Sequence, residues 1–377
     1  MSRGSKDRMI AILMLSPSVV LLAIFVYGFI GSTAYMSLTN LSTQMQLSEQ
    51  LRKAQEKFIG LGNYNSFMTS PLDSRFRIGF VNTLFFTLLF ILVCLVVGLL
   101  LAILLDQKIK GESIFRTIFL FPMALSFVVT GVVWRWLFNQ NSGINLLPTL
   151  VGFPAGTFAW HTSQDQILQF DWVNFPIIVS ILVVVIVVLP SLWYIVRQRS
   201  RIAMFILALA LLANTYLLLI AAPGLRSAMV RPETHGFNLA LLAVVLAAGW
   251  QMSGYTMAMY LAGLRGISEE LREAARVDGC TEFGVYRRII FPLLAPITLS
   301  AIIILGHISL KIFDLVYSMG GGDLLSIDMP GMFMWFETYR GFLPARGAAV
   351  AIIMLLLVAV VIIPYLWSSL RGDPENE

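Results

Sequence analysis

Runs of apolar residues long enough to cross a bilayer recur along this chain, each closed off by a short charged or polar segment. A spanning helix needs about 20 predominantly apolar residues, because it must satisfy its own backbone across the hydrocarbon core. The runs are Met9–Met36, Thr83–Leu105, Thr117–Phe138, Ile177–Val196, Ile202–Ala222, Leu239–Leu264, Ile297–Met319 and Gly347–Leu370. Their number predicts an all-α polytopic membrane protein with about eight transmembrane helices. With 58% hydrophobic and 12% charged residues and a mean hydropathy of +0.82, the 377 residues do not make a soluble two-domain protein. The first run is too long for the apolar region of a cleaved signal peptide, so it reads as a retained span. Cys94 and Cys280 offer no disulfide framework, and His161, His235 and His307 have no metal-ligand spacing.

The basic residues orient the spans. Fifteen of the 26 Lys and Arg fall at the N-terminus, in Asp106–Arg116, in the Arg197–Arg201 turn, around the charged segment after Leu264 and in the tail. Nine fall in the longer opposite loops, and Asn139–Pro176 has none. The positive-inside rule then places both termini and the charged segment after Leu264 on the cytoplasmic side of the membrane. The chain divides into 1–36 (first span), 37–80 (an extracytoplasmic loop), 81–370 (the main membrane domain) and 371–377 (a tail). Pro122 lies inside the third run, where neighbouring helices can satisfy the freed backbone group.

The segment from Ser268 to Pro296 is the longest charge-dense, amphipathic stretch in the C-terminal half, and apolar runs flank it. Ser268 is a helix cap, with Glu269 and Glu270 in the first turn where the helix dipole favours them. Leu271, Ala274 and Ala275 form a narrow stripe of mostly small side chains. Asp278-Gly279 ends the helix, glycine tolerating a left-handed backbone there. Thr281 caps a second helix whose apolar face carries Phe283, Tyr286, Ile289 and Ile290, and Pro292 and Pro296 mark the turn into the next span. The expected shape is an elbow at the membrane surface with one face for its own chain and one for a partner.

Glu273-Ala274-Ala275, Gly279, Ile289 and Pro292 resemble the EAA loop of the permease subunits of binding-protein-dependent ABC importers. Phe291 and Cys280 stand where that family usually has leucine and alanine. Phe58–Tyr64, Asn82-Thr83-Leu84, Phe115-Arg116-Thr117 with Pro122, Trp134–Asn139 and Phe313–Tyr317 with Gly320–Gly322 are similar to the carbohydrate-uptake class, of the maltose and glycerol-phosphate type. The resemblance implies that Glu273, Ala274, Ala275, Asp278, Gly279, Ile289 and Pro292 couple this chain to an ATPase dimer. It also implies a second homologous permease subunit, an extracytoplasmic solute-binding protein and a sugar substrate. Membrane lipid is the remaining partner, and no nucleic acid is implied. No G-x-x-x-x-G-K-[ST] stretch occurs, so the resemblance implies no cofactor here, ATP and Mg²⁺ being held by the partner ATPase. Relatives mostly have six spans, so the hairpin Ile177–Ala222, within about 165–235, reads as an insertion into a six-helix importer core.

Two clusters are candidates for the substrate path. On Ile297–Met319, His307, Lys311 and Asp314 fall at i, i+4 and i+7, one face of a helix, where charge should turn toward protein or a wet cavity. A Lys311–Asp314 ion pair without a ligand explains the same pattern. On the preceding span, Trp250, Gln251, Ser253 and Tyr255 supply aromatic planes and hydrogen-bonding groups suited to sugars; counterparts of Tyr255 and of the Lys311 neighbourhood face the sugar in maltose-type permeases. The competing reading is an ion-coupled carrier or intramembrane enzyme using His307, Lys311 and Asp314 as a proton relay. Dependence on an ATPase discriminates the two.

Overall fold

The computed structural model describes residues 3–50, 55–107, 110–171, 177, 180–181, 183–188, 191–192, 201–216, 218–219 and 234–371. The fold is helical, with α1 (Ile12–Ser37), α2 (Ser74–Asp106), α3 (Glu112–Leu120), α4 (Phe127–Leu137), α5 (Leu239–Gly266), α6 (Glu269–Val277), α7 (Glu282–Leu310), α8 (Asp314–Gly320) and α9 (Pro344–Arg371). Among the described residues, four helices are long and apolar enough to span, or five if α3 and α4 count together. Most of the hairpin Ile177–Ala222 lies outside the described residues, which show a helix over Arg201–Tyr216.

The chain forms two compact units, Met1–Ser66 with Pro330–Glu377, and Phe67–Met329. In the first, the end of α1 packs on α9, and the buried Asn63 amide ties the following segment by donating to Ser37 O (2.8 Å) and Thr39 O (2.9 Å). The main chain of Thr43 donates to Phe342 O (2.9 Å), and Arg346 Nε pairs with Glu337 Oε2 (2.6 Å).

In the second unit, α2 and α5 pack along their length. Two glycines set the closeness: a Cβ at Gly98 would lie 2.7 Å from Thr256 Cβ, and one at Gly249 would lie 2.7 Å from Val93 Cγ1. Small residues at a crossing let apolar helices gain dispersion contact where lipid supplies no hydrophobic drive. The second span is longer than its apolar run, because the helix begins at Ser74 and takes residues 74–80 out of the expected outer loop. Arg77 explains this early start: its buried guanidinium donates to Phe67 O (2.6 Å) and Ser70 O (2.9 Å), closing the turn before the helix.

The third run is not one straight span. A 3₁₀ turn over Phe121–Ala124 follows α3, Ser126 Oγ accepts from Val129 N (3.2 Å) to start α4, and the two helices meet at 99°. Pro122 removes a donor, and the break frees the carbonyl of Leu125, which accepts from Gln251 Nε2 of α5 (2.7 Å).

An antiparallel ribbon was absent from the all-helical expectation. Strand β1 (Gln166–Asp171) pairs with β2 (Thr234–Asn238), Phe170 opposite His235, so the chain on either side of the expected hairpin is zipped together.

Candidate coupling loop and translocation path

Residues 268–296 fold as two helical limbs about a glycine. Gly279 has φ +82°, and a Cβ there would meet nothing within 4 Å, so the left-handed backbone, not space, calls for glycine. Cys280 N–H donates to Ala275 O and Gly279 N–H to Arg276 O, both at 3.0 Å, the paired bonds of a Schellman terminus. Ser268 occupies the cap position without a side-chain capping bond; the first turn closes through Leu271 N–H donating to Ser268 O (3.3 Å). Thr281 Oγ1 does cap the second limb, accepting from Gly284 N (3.2 Å).

The buried face of α6 differs from the expected stripe. Ala275 is buried, while Leu271 and Ala274 point outward. The inward partner is Arg272, three residues before Ala275 and therefore on its face. Its Nη1 pairs with Asp106 Oδ2 (2.8 Å) at the end of α2, and its Nη2 donates to Leu264 O (2.7 Å) at the end of α5. Ala275, Val285, Ile290 and Leu294 complete a core with Ala102, Leu105, Leu261 and Leu264. The elbow is thus bolted to the ends of two spanning helices and continues directly into a third.

That continuation corrects two expectations. Pro292 and Pro296 do not turn the chain; α7 runs unbroken, with a π tract over Tyr286–Ile290 directly before Pro292. The widened turn accommodates the proline ring and its missing donor. It also puts Val285 and Ile290, five apart, on one face, so Phe283 stays 70% exposed instead of joining the apolar face. Outward from the elbow point Glu273, Ala274, Val277 (87% exposed), Asp278 and Phe283. Ile289 is half-buried and Pro292 exposed.

The polar stripe on the next span does not form. The first helical stretch ends at Leu310, Lys311 is its C-cap, Ile312 and Phe313 leave helical geometry, and Asp314 opens α8. The break lets Lys311 and Asp314 stay exposed while Ile312 and Leu315 turn inward, and it puts the Asp314 carboxylate at a helix start. His307 is half-buried, and no Lys311–Asp314 ion pair is present among the described residues.

The other cluster does assemble. Trp250 meets Trp134 of α4 edge-to-face with ring centres 5.8 Å apart, and Trp134, Phe138 and Trp160 continue the aromatic wall at 4.9 and 4.6 Å. Gln251 is buried beside it and Tyr255 half-buried a turn further on. Thr130 Oγ1, Trp134 Nε1 and Gln251 Oε1 are buried without a hydrogen-bond partner among the described residues. Burial, then the nearby Arg135 charge, push the His161 imidazole below its usual range. Thr130 and Trp134 were not singled out as site residues, since inside an apolar run they look like packing. No spacing links Arg272 to Asp106, 166 residues away. Among the described residues no three His, Cys, Asp or Glu are grouped to hold a metal ion.

Residues 176–371 match the family described as binding-protein-dependent transport system inner membrane component. A probable ABC transporter permease protein (PH1215) of Pyrococcus horikoshii is 32% identical over 98% of this chain and 99% of its own. The xylose/arabinose import permease protein XacH of Haloferax volcanii is 31% identical over 92% of this chain and 84% of its own. In fold, the chain is similar to the crystal structure of a bacterial ABC transporter involved in the import of the acidic polysaccharide alginate. That likeness has a TM-score of 0.64 at 15% identity, covering 98% of each chain.

Proposed function

We propose, since this chain belongs to the binding-protein-dependent transport system inner membrane component family, that it forms the translocation path for a sugar and takes its power from a separate ATPase through residues 268–296. As a permease subunit it is a transport component and not an enzyme. The observation that carries the coupling role is the anchoring of the elbow. Arg272 and the Ala275 core fix α6 to the ends of α2 and α5, while Glu273, Val277 and Phe283 face outward. A partner that moved the outward face would move the cytoplasmic ends of three spanning helices together, converting nucleotide state into inward- or outward-facing cavities.

The sugar path runs past Trp250, Gln251 and Tyr255, joined by Thr130 and Trp134. Aromatic faces and unpaired amide, hydroxyl and indole groups match the alternating CH and OH surfaces of a sugar. The import of xylose and arabinose by a relative supports that class. A second permease chain, a solute-binding protein outside and ATP with Mg²⁺ on the partner ATPase complete the assembly. Both termini and the elbow lie in the cytoplasm in this reading. The relay alternative needs His307, Lys311 and Asp314 on one face; the helix ends at Lys311 before Asp314 opens the next, which favours the transport reading.

In proteoliposomes holding the complete importer, Glu273→Lys should leave the chain inserted while uncoupling ATP hydrolysis from sugar uptake. Normal uptake per ATP in that variant would refute the coupling role.

A further inference from the structure

A polar cavity lies at the starts of α2 and α5 beside the ribbon, and none of Trp134, Phe138, Trp160, Trp250 and Gln251 is in its lining. It encloses about 430 Å³, and its lining includes Asn82, Gln164, Gln166, Asn238, Ser326 and the carboxylate of Asp323, with no Lys or Arg. That volume is in the range of small-molecule sites.

Its walls are fixed by bonds that leave the mouth free. Asn238 caps α5, its Oδ1 accepting from Leu241 N (2.8 Å), and its amide donates to Ser326 O. The Asn82 amide donates to Ser326 O (3.2 Å) and Asp328 O (3.0 Å), and Arg75 pairs with the buried Asp328 while donating to Gly322 O (2.7 Å). The segment 322–328 is therefore held against α2 as one rigid wall. The opposite wall is β1 with Gln166, preceded by Gln164. The amides of Gln164 and Gln166 and the Ser326 hydroxyl make no hydrogen bond to a described residue, and all three face the cavity. Each amide offers donors and an acceptor, and the hydroxyl offers both, which suits hydroxyl groups of either polarity. An anion would find no counter-charge in this lining.

We infer that this cavity is a binding site for a neutral sugar, separate from the Trp250–Gln251 cluster, and that the base of the inserted segment builds one of its walls. Preformed walls make such a site selective at small entropic cost. The ligand class rests on the importer reading; the site itself rests on its lining.

The test uses the full chain in lipid nanodiscs, with Ser326→Cys labelled by a water-soluble maleimide and Cys280 as the internal reference. Xylose, glucose and trehalose are the neutral probes, and glucose 6-phosphate is the anionic one. A neutral sugar should slow labelling at position 326 in a saturable way and leave Cys280 unchanged. Gln166→Leu should raise the half-protecting concentration about three- to tenfold, the loss of one hydrogen bond. If Ser326→Cys does not fold, Gln164→Cys reads the same protection. Labelling unaffected by every neutral sugar, or slowed only by glucose 6-phosphate, would overturn the inference. Protection in nanodiscs without ATP-driven sugar uptake by proteoliposomes holding the complete importer would keep this site and remove the sugar-import reading; uptake in those proteoliposomes without protection would do the reverse.

Discussion

Replacing Arg272 with alanine should loosen the elbow without touching its outward face. The Arg272 and Asp106 side chains are 12% and 11% exposed, so their pair lies between the surface and buried limits. Exposed pairs contribute about 0.2–1 kcal/mol, whereas stranding a buried partner costs about 3–5 kcal/mol. Arg272→Ala also leaves Leu264 O at the end of α5 without its charged donor, a loss of about 1.5–3 kcal/mol when the carbonyl stays dry. Together these favour a local destabilisation of about 3 kcal/mol, on the order of 100-fold in the opening equilibrium of α6. Hydrogen exchange of the amides in 269–280, measured by mass spectrometry in nanodiscs, reads that equilibrium directly. The double replacement Arg272→Met with Asp106→Leu should restore most of the protection, because no charge is then left unpaired. Exchange rising less than about threefold in Arg272→Ala would show that the apolar core around Ala275 holds the elbow unaided, and the reasoning would fail.

Two further outcomes follow from the same structure. A Cβ at Gly254 would lie 2.1 Å from Phe119 O, a backbone atom at the α3–α4 break, whereas one at Gly263 would meet the tip of Ile297 at 2.1 Å. Gly254→Ala should therefore cost about 1–3 kcal/mol and lower the thermal unfolding midpoint, and Gly263→Ala should cost less, because a side-chain tip can move. Asp328, in the segment between α8 and α9, is pushed up to about 6 from 3.8 by burial, against the opposing pull of Arg75. Its folded form thus holds a proton more tightly than the unfolded chain. The stability it contributes is full below about pH 4 and is lost as pH rises through about 6. Infrared titration of the carboxyl band, with Asp328→Asn as the blank, should find that midpoint, and Arg75→Gln should move it higher.

How much of this was legible in the sequence depended on whether the cause was local. Gly279, Thr281 and the first-turn acids of α6 are short-range devices, and the backbone takes the form their chemistry asks for. The first, second and sixth apolar runs were equally plain, since length and hydropathy set them, whereas the third is bent and the seventh breaks at Lys311. What failed were inferences that carried helical periodicity through a break. His307, Lys311 and Asp314 share a face only on an uninterrupted helix, and two charged side chains near its end favour ending it. Phe283 left the apolar face because the π tract before Pro292 changed the period. Long-range partners were invisible for a simpler reason. Arg272 with Asp106, Gln251 with Leu125 O, and the ribbon joining residues 166–171 to 234–238 bring together positions that no spacing rule connects.

The central claim is that the outward face of the elbow seats a nucleotide-hydrolysing partner. A photoreactive residue introduced at Phe283 in the reconstituted importer tests it most directly, with mass spectrometry identifying the crosslinked chain. The account predicts crosslinks to the ATPase subunit that change in yield when ATP is bound. Efficient crosslinking to lipid or to the solute-binding protein, with none to the ATPase in any nucleotide state, would contradict it.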